Sequence, residues 1–193
     1  MDVELILSYT SIFLSVVAVA VSIFIANNQN KIALYNKRIE VLDCIEFVTA
    51  FVNVLKNSVK NEDKVEAYTI ITIWIYMAGE DGADMGKLDF KINSYEELCK
   101  NGNEFAYIIK TKTLKQITIL EHAYFLFNEP ISKEIAKFAK AYYTLINEAY
   151  DKTVNGNDEI DFKDIKDFID STLEFINGKQ YKSMINKLKI RVF

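Results

Sequence analysis

The chain has 193 residues with 23 Lys or Arg and 27 Asp or Glu, giving a net charge of -4 with its single His neutral. That size suits one ordinary domain, and the mildly acidic balance excludes a protein that binds nucleic acid through overall positive charge. Six Gly and one Pro, none before Gly79, are too few for the turns of a β-sandwich or barrel, so the expectation is long helices with few joints.

Residues Leu5 to Ala26 form an uncharged run, LILSYTSIFLSVVAVAVSIFIA. As a helix this run is about 33 Å long, enough to cross a hydrocarbon core of about 30 Å. A signal peptide would want a basic start, a shorter apolar core and a small-x-small cleavage site. Here Asp2 and Glu4 precede the run and Asn27-Asn28-Gln29-Asn30 follows it, so the reading is a retained anchor, residues 1–30. Lys31, Lys37 and Arg38 lie just beyond it. The positive-inside rule then places the N-terminus outside and the rest in the cytoplasm. In a bacterium the lipid bilayer concerned is the inner (plasma) membrane. Cys44 and Cys99 make no disulfide framework, as a cytoplasmic domain requires.

At 100° per residue, Ser8, Ser11, Ser15, Ala18, Ser22 and Ala26 fall on one face. The stripe extends outward to Glu4 and inward to Gln29, while Ile12, Phe13, Val16, Val17, Val21, Ile23 and Phe24 face elsewhere. A membrane helix needs no serine ladder to stay inserted. Two readings are open: close helix–helix packing, in which small residues let backbones approach, or a pore whose serines face water. Both require a homo-oligomer.

From Lys31 to Leu55 there is neither Gly nor Pro, and Ile32, Tyr35, Ile39, Leu42, Ile45, Thr49 and Val52 recur at spacings of three and four. This pattern predicts an amphipathic stalk helix, residues 31–57, continuing the span without a Gly/Ser linker. Residues 58–193 are read as a cytoplasmic α-helical domain. Lys56–Lys64 is a polar connection. Ala67–Ala78 is apolar but too short to span, so it reads as a buried helix or, as the lesser alternative, a central strand.

Gly79–Gly86 is an acidic loop, and Leu88–Ile92 is a short strand or an extended connection. Ser94 with Glu97 forms a capping box opening a helix to Cys99; Asn101-Gly102-Asn103 breaks it and Glu104–Ile109 resumes. Thr113–Phe127 and Ser132–Asp151 read as helices, the second capped by Ser132, with Ile135, Phe138, Ala139, Tyr142, Leu145, Ile146 and Ala149 on one face. Asp161–Ile176 and Gln180–Leu188 follow. The fold class is therefore all-α, one N-terminal transmembrane helix leading into a helical bundle.

Catalytic groups are sparse. His122 is the only histidine and has no nucleophile or metal partner in a motif, and one His with two distant thiols does not make a zinc set. Phosphate-binding and nucleophile-elbow motifs are absent. The reading is a non-enzyme with no cofactor and no metal. Thr153–Asp164 imitates a calcium loop, yet Thr153, Asp158 and Asp164 stand where Asp, Gly and Glu are wanted. Lys110, Lys112, Lys115, Lys133, Lys137, Lys140 and the basic end (Lys182, Lys187, Lys189, Arg191) have Tyr107, Tyr124, Phe138, Tyr142, Tyr143 and Tyr181 among them. That mixture suits either a solvated face over an aromatic core or a stacking site for nucleotides.

The run Asn30–Val41 (NKIALYNKRIEV) and the patch Phe125–Ile135 (FLFNEPISKEI) resemble those of small single-span bacterial membrane proteins with a cytosolic helical domain. In size and layout the chain is similar to the membrane effectors of the Hailong antiphage defence system. The resemblance implies a tetrameric, ion-channel-like effector governed by an oligonucleotide ligand from a partner nucleotidyltransferase, depolarising the membrane on infection. It assigns no ligand-binding residue in this chain. The rival expectation is a non-conducting, membrane-anchored scaffold or sensor that recruits a partner protein.

Overall fold

The computed structural model describes residues 3–59, 64–80, 102–155 and 159–188. Its elements are α1 (Val3–Ser58), β1 (Lys64–Glu66), α2 (Ala67–Glu80), α3 (Gly102–Glu121), α4 (Ala123–Leu126), α5 (Glu129–Asn155), β2 (Glu159–Asp161), α6 (Phe162–Asn177) and α7 (Lys179–Leu188). The fold is nearly all-α, as the sequence predicts, with one two-stranded ribbon that the sequence reading does not contain. Of the acidic loop expected at Gly79–Gly86, Gly79 and Glu80 instead end α2; residues 81–86, the segment 88–92 and the capping box at Ser94 lie outside the described residues.

The chain divides into two compact units, Met1–Ile39 and Glu40–Phe193. That boundary falls inside the 31–57 segment read as a stalk. From Val41 onward the helix carries core residues: Val41, Ile45, Val48, Phe51, Val52 and Leu55 are fully buried. Of the predicted repeat only Ile45 and Val52 belong to this core; Ile39, Leu42 and Thr49 are half-buried, and Ile32 and Tyr35 are exposed. Periodicity marks an apolar face; it does not say whether the chain's own bundle covers it.

α5 is the central element of the second unit, packing against α2, α3, α4, α6 and α7. Its predicted apolar face, Ile135 to Ala149, is buried throughout. The helix starts earlier than expected, at Glu129, because the Asn128 carbonyl accepts from the amides of Ile131 and Ser132. Pro130 fits that first turn, where no amide donor is missed. Ser132 is thus no cap; its hydroxyl donates to the Glu129 carbonyl inside the helix.

α2 contributes Ile70, Ile71, Trp74, Ile75 and Ala78 to the core, so the apolar dodecamer is a buried helix. α3 runs unbroken from Gly102 to Glu121, merging the expected 104–109 piece with the start of the 113–127 helix. The break comes at His122, whose amide hydrogen-bonds both the Thr118 and Ile119 carbonyls before α4 begins. Asp161 caps α6, its carboxylate accepting from the Lys163 amide at 2.8 Å. Gly178 separates α6 from α7 by close approach: a Cβ there would lie 3.0 Å from the Phe175 carbonyl oxygen.

β1 and β2 pair antiparallel with Lys64 opposite Asp161, Val65 opposite Ile160 and Glu66 opposite Glu159. Only the central pair is buried. The ribbon ties the chain after α1 to the corner between α5 and α6.

Candidate functional site

Two regions bear on function, one in each unit. In the first unit, α1 contains the one described helix long and apolar enough to cross a membrane; its apolar window has a mean hydropathy of 2.3 and none of it is buried within the chain. Ser8, Ser11, Ser15, Ala18, Ser22, Ala26 and Gln29 all lie exposed on this helix. Glu4 lies on α1 as well, but its side chain is outside the described set. Ile12, Phe13, Val16, Val21, Ile23 and Phe24 are equally uncovered, so the apolar surface has no cover within the chain.

The serines carry a detail the sequence does not give. The Ser15 hydroxyl donates to the Ser11 carbonyl at 2.9 Å and the Ser22 hydroxyl to the Ala18 carbonyl at 2.8 Å. Each hydroxyl is therefore satisfied inside its own helix, the usual way a serine is carried in apolar surroundings. At Ser15 and Ser22 the stripe then needs neither a partner hydroxyl nor water to settle the donor, and small volume is what remains there for a neighbour to use.

In the second unit the polar centre is a hydrogen-bond chain in the core. Trp74 Nε1 donates to Tyr142 Oη at 2.6 Å, and Tyr142 Oη donates to Gln116 Oε1 at 2.7 Å. Phe51 packs edge-on against the Tyr142 ring, centroids 6.3 Å apart. The chain therefore joins α2, α5 and α3, with α1 against it. Burial holds the Tyr142 phenol far above its ordinary pKa, with the indole donor offsetting only part of the shift. Nearby Cys44 is a buried free thiol, pushed up to about 11 by burial, with Asp43 and Glu40 adding to the shift. A thiol held neutral in this way is a packing group, not a nucleophile.

Among the described residues, the lysines and aromatics read as a possible nucleotide site do not converge. Phe138 and Tyr142 are core residues. Lys112 Nζ donates to the Ala78 carbonyl at 3.0 Å, near the end of α2. Lys133 pairs with Glu129, and Lys137 with Glu134 at 2.8 Å. The side chains of Tyr107, Lys110, Lys187, Lys189 and Arg191 are outside the described residues. A groove of about 600 Å³ between α5 and α6 sets Lys137 and Lys140 against Glu148, Asp164 and Asp167, a balance that gives a polyanion no preference for it.

Nor do the described residues of the calcium-like segment form a cradle. Thr153 turns inward and bonds the Ala149 carbonyl, Ile160 is buried in the ribbon, and Asp161 is the cap of α6. Among the described residues there is no group of three His, Cys, Asp or Glu placed to hold a metal ion. His122 is exposed at the α3–α4 break. A feature missed in sequence is the exposed aromatic pair beside it: Tyr124 and Phe125 are 72% and 81% exposed, with ring centroids 5.4 Å apart.

Fold and site together define a nearly all-α chain in which one apolar helix of membrane-crossing length precedes a helical bundle. No protein-family model, curated protein or solved structure matches it.

Proposed function

We propose that the protein is a single-span, self-associating membrane effector of the ion-channel-like kind, in which α1 crosses the bacterial inner membrane and the bundle is its cytoplasmic sensing module. The observation that carries this reading is the uncovered apolar window of α1. In water that surface would be an aggregation liability; in a bilayer it is solvated by lipid. Basic residues at Lys31, Lys37 and Arg38, after an acidic start, support an external N-terminus.

Self-association rests on the small-residue stripe, since lipid-facing positions gain nothing from Ser and Ala while a helix–helix seam does. A tetramer, control by an oligonucleotide from a partner nucleotidyltransferase, and membrane depolarisation in antiphage defence come from the resemblance to Hailong effectors. The reading assigns no catalytic step to the chain. An unbroken helix, with neither Gly nor Pro before Gly79, supports transmission of a signal from bundle to span.

The test is overexpression with a membrane-potential dye. Wild type depolarises cells, while Ser15→Leu and Ser22→Leu stay in the membrane fraction and do not. Depolarisation equal to wild type by both variants rejects the conducting stripe. The second reading, a non-conducting scaffold or sensor, is favoured by the internally bonded hydroxyls of Ser15 and Ser22, whose donors need no pore water. It predicts oligomers without current.

A further inference from the structure

The groove between α5 and α6 is longer than its central part. Cavities of about 600 and 490 Å³ share Lys137, Ala141 and Ser171 as lining, so they form one trough along the two helices. Its floor is apolar: Phe138, Leu145, Phe168 and Phe175 are buried there, and the Phe138 and Phe175 rings stack with centroids 5.1 Å apart. Ala141 is the smallest side chain of the α5 wall. On the α6 side, Asp164, Asp167 and Glu174 line the groove and are exposed. Among the described residues none of the three has an ion pair. Lys163 and Lys166, the cations of α6, do not line it. Across the groove, Lys137 is held by Glu134 at 2.8 Å and Glu148 by Lys152 at 3.0 Å. Of the α6 carboxylates, Asp164 sits in the first turn, where the helix dipole favours an acid, but Glu174 lies in the last turn, where the dipole opposes one.

We propose that this groove docks a basic amphipathic helix of a partner protein, its Lys or Arg side chains on the α6 carboxylates and its small aliphatic face over Ala141. Charge complementarity selects that occupant. The walls carry five carboxylates (Glu134, Glu148, Asp164, Asp167 and Glu174) against Lys137 and Lys140, which repels acidic peptides and nucleic acid and attracts cations. A second copy meeting groove to groove would set acid against acid. The apolar floor and the spacing then favour a helix over a flexible polycation. Asp164 to Glu174 spans about 15 Å of helix axis, roughly three turns, and carboxylates three and seven positions apart match cations on one face of an adjacent helix. The groove lies wholly in the second unit, so this holds whatever α1 does in a membrane.

The test uses the full chain in phosphatidylcholine nanodiscs and a dye-labelled, alanine-based helical peptide of about 14 residues, roughly 20 Å long, with Lys at spacings of three and four. Binding is read by fluorescence anisotropy, with empty nanodiscs as the blank. The expected result is saturable binding that D164N/D167N/E174Q weakens about tenfold, at about half a kcal/mol for each exposed charge pair. Ala141→Gln, which fills the groove without changing charge, should abolish it. No binding to wild type overturns the proposal, as does equal binding by the two variants. Equal binding of a peptide with the same Lys residues placed consecutively also overturns it, because charge alone would then suffice. So does a smaller particle mass for the triple variant, which would put a second copy in the groove.

Discussion

Trp74 and Tyr142, 68 positions apart, meet in the core through a 2.6 Å hydrogen bond from the indole Nε1 to the phenolic oxygen. Tyr142→Phe keeps the ring but removes the acceptor for Trp74 and the donor for Gln116. A buried donor left unpaired costs about 1–3 kcal/mol. Denaturation of the purified protein in detergent, followed by the fluorescence of its one tryptophan, should show a loss of that size.

The same phenol makes stability fall at alkaline pH. Its folded pKa lies above the ordinary value of 10.0 because of burial. The unfolded chain therefore gives up the proton first, and stability falls as pH rises beyond about 10, by about 1.4 kcal/mol per unit for one proton. Tyr150 and Tyr181, raised by burial, and Lys64, raised by its hydrogen bond to Glu159, act in the same direction, the last weakly because the pair is solvent-exposed. Tyr142→Phe should make the alkaline slope shallower by one proton, measured by denaturation at stepped pH above 10.

The boundary at Ile39/Glu40 has a direct consequence for mutation. Phe51 is fully buried, so Phe51→Ala should destabilise the bundle by about 3–5 kcal/mol. Ile32 is exposed on the same helix, and Ile32→Ala should change bundle stability by no more than about 0.5 kcal/mol. Equal losses at the two positions would mean that the chain's own core extends through residue 32.

Much of this architecture is legible in sequence because it rests on local periodicity. The α5 face from Ile135 to Ala149 repeats strongly enough to identify a buried helix, whereas the apolar run of α2 signals burial and leaves helix and central strand both open. The ribbon is not legible: each strand is three residues long with one buried side chain, and Val65 meets Ile160 only because the bundle brings them together. The break at His122 has no Gly or Pro to mark it, and the true start of α5 depends on a backbone carbonyl at Asn128. At the stripe, sequence gives the face of the serines but not the internal bonds at Ser15 and Ser22. Those bonds decide whether the hydroxyls need a partner.

Thr172 offers a gain in stability. Its side chain is 1% exposed and its hydroxyl is buried without a hydrogen-bond partner. Thr172→Val keeps the shape while removing an unsatisfied polar group, so the midpoint of unfolding should rise, by about 1 kcal/mol in free energy. A loss instead would show that the hydroxyl has a partner in solution.

The central claim, that copies of α1 assemble around their small-residue stripe into a conducting span, is tested most directly by current through planar bilayers containing the purified full-length protein. The account predicts discrete conductance steps from wild type and none from Ser15→Leu incorporated at equal density. Silent bilayers with wild-type protein verified as embedded, or unchanged steps with Ser15→Leu, would contradict it.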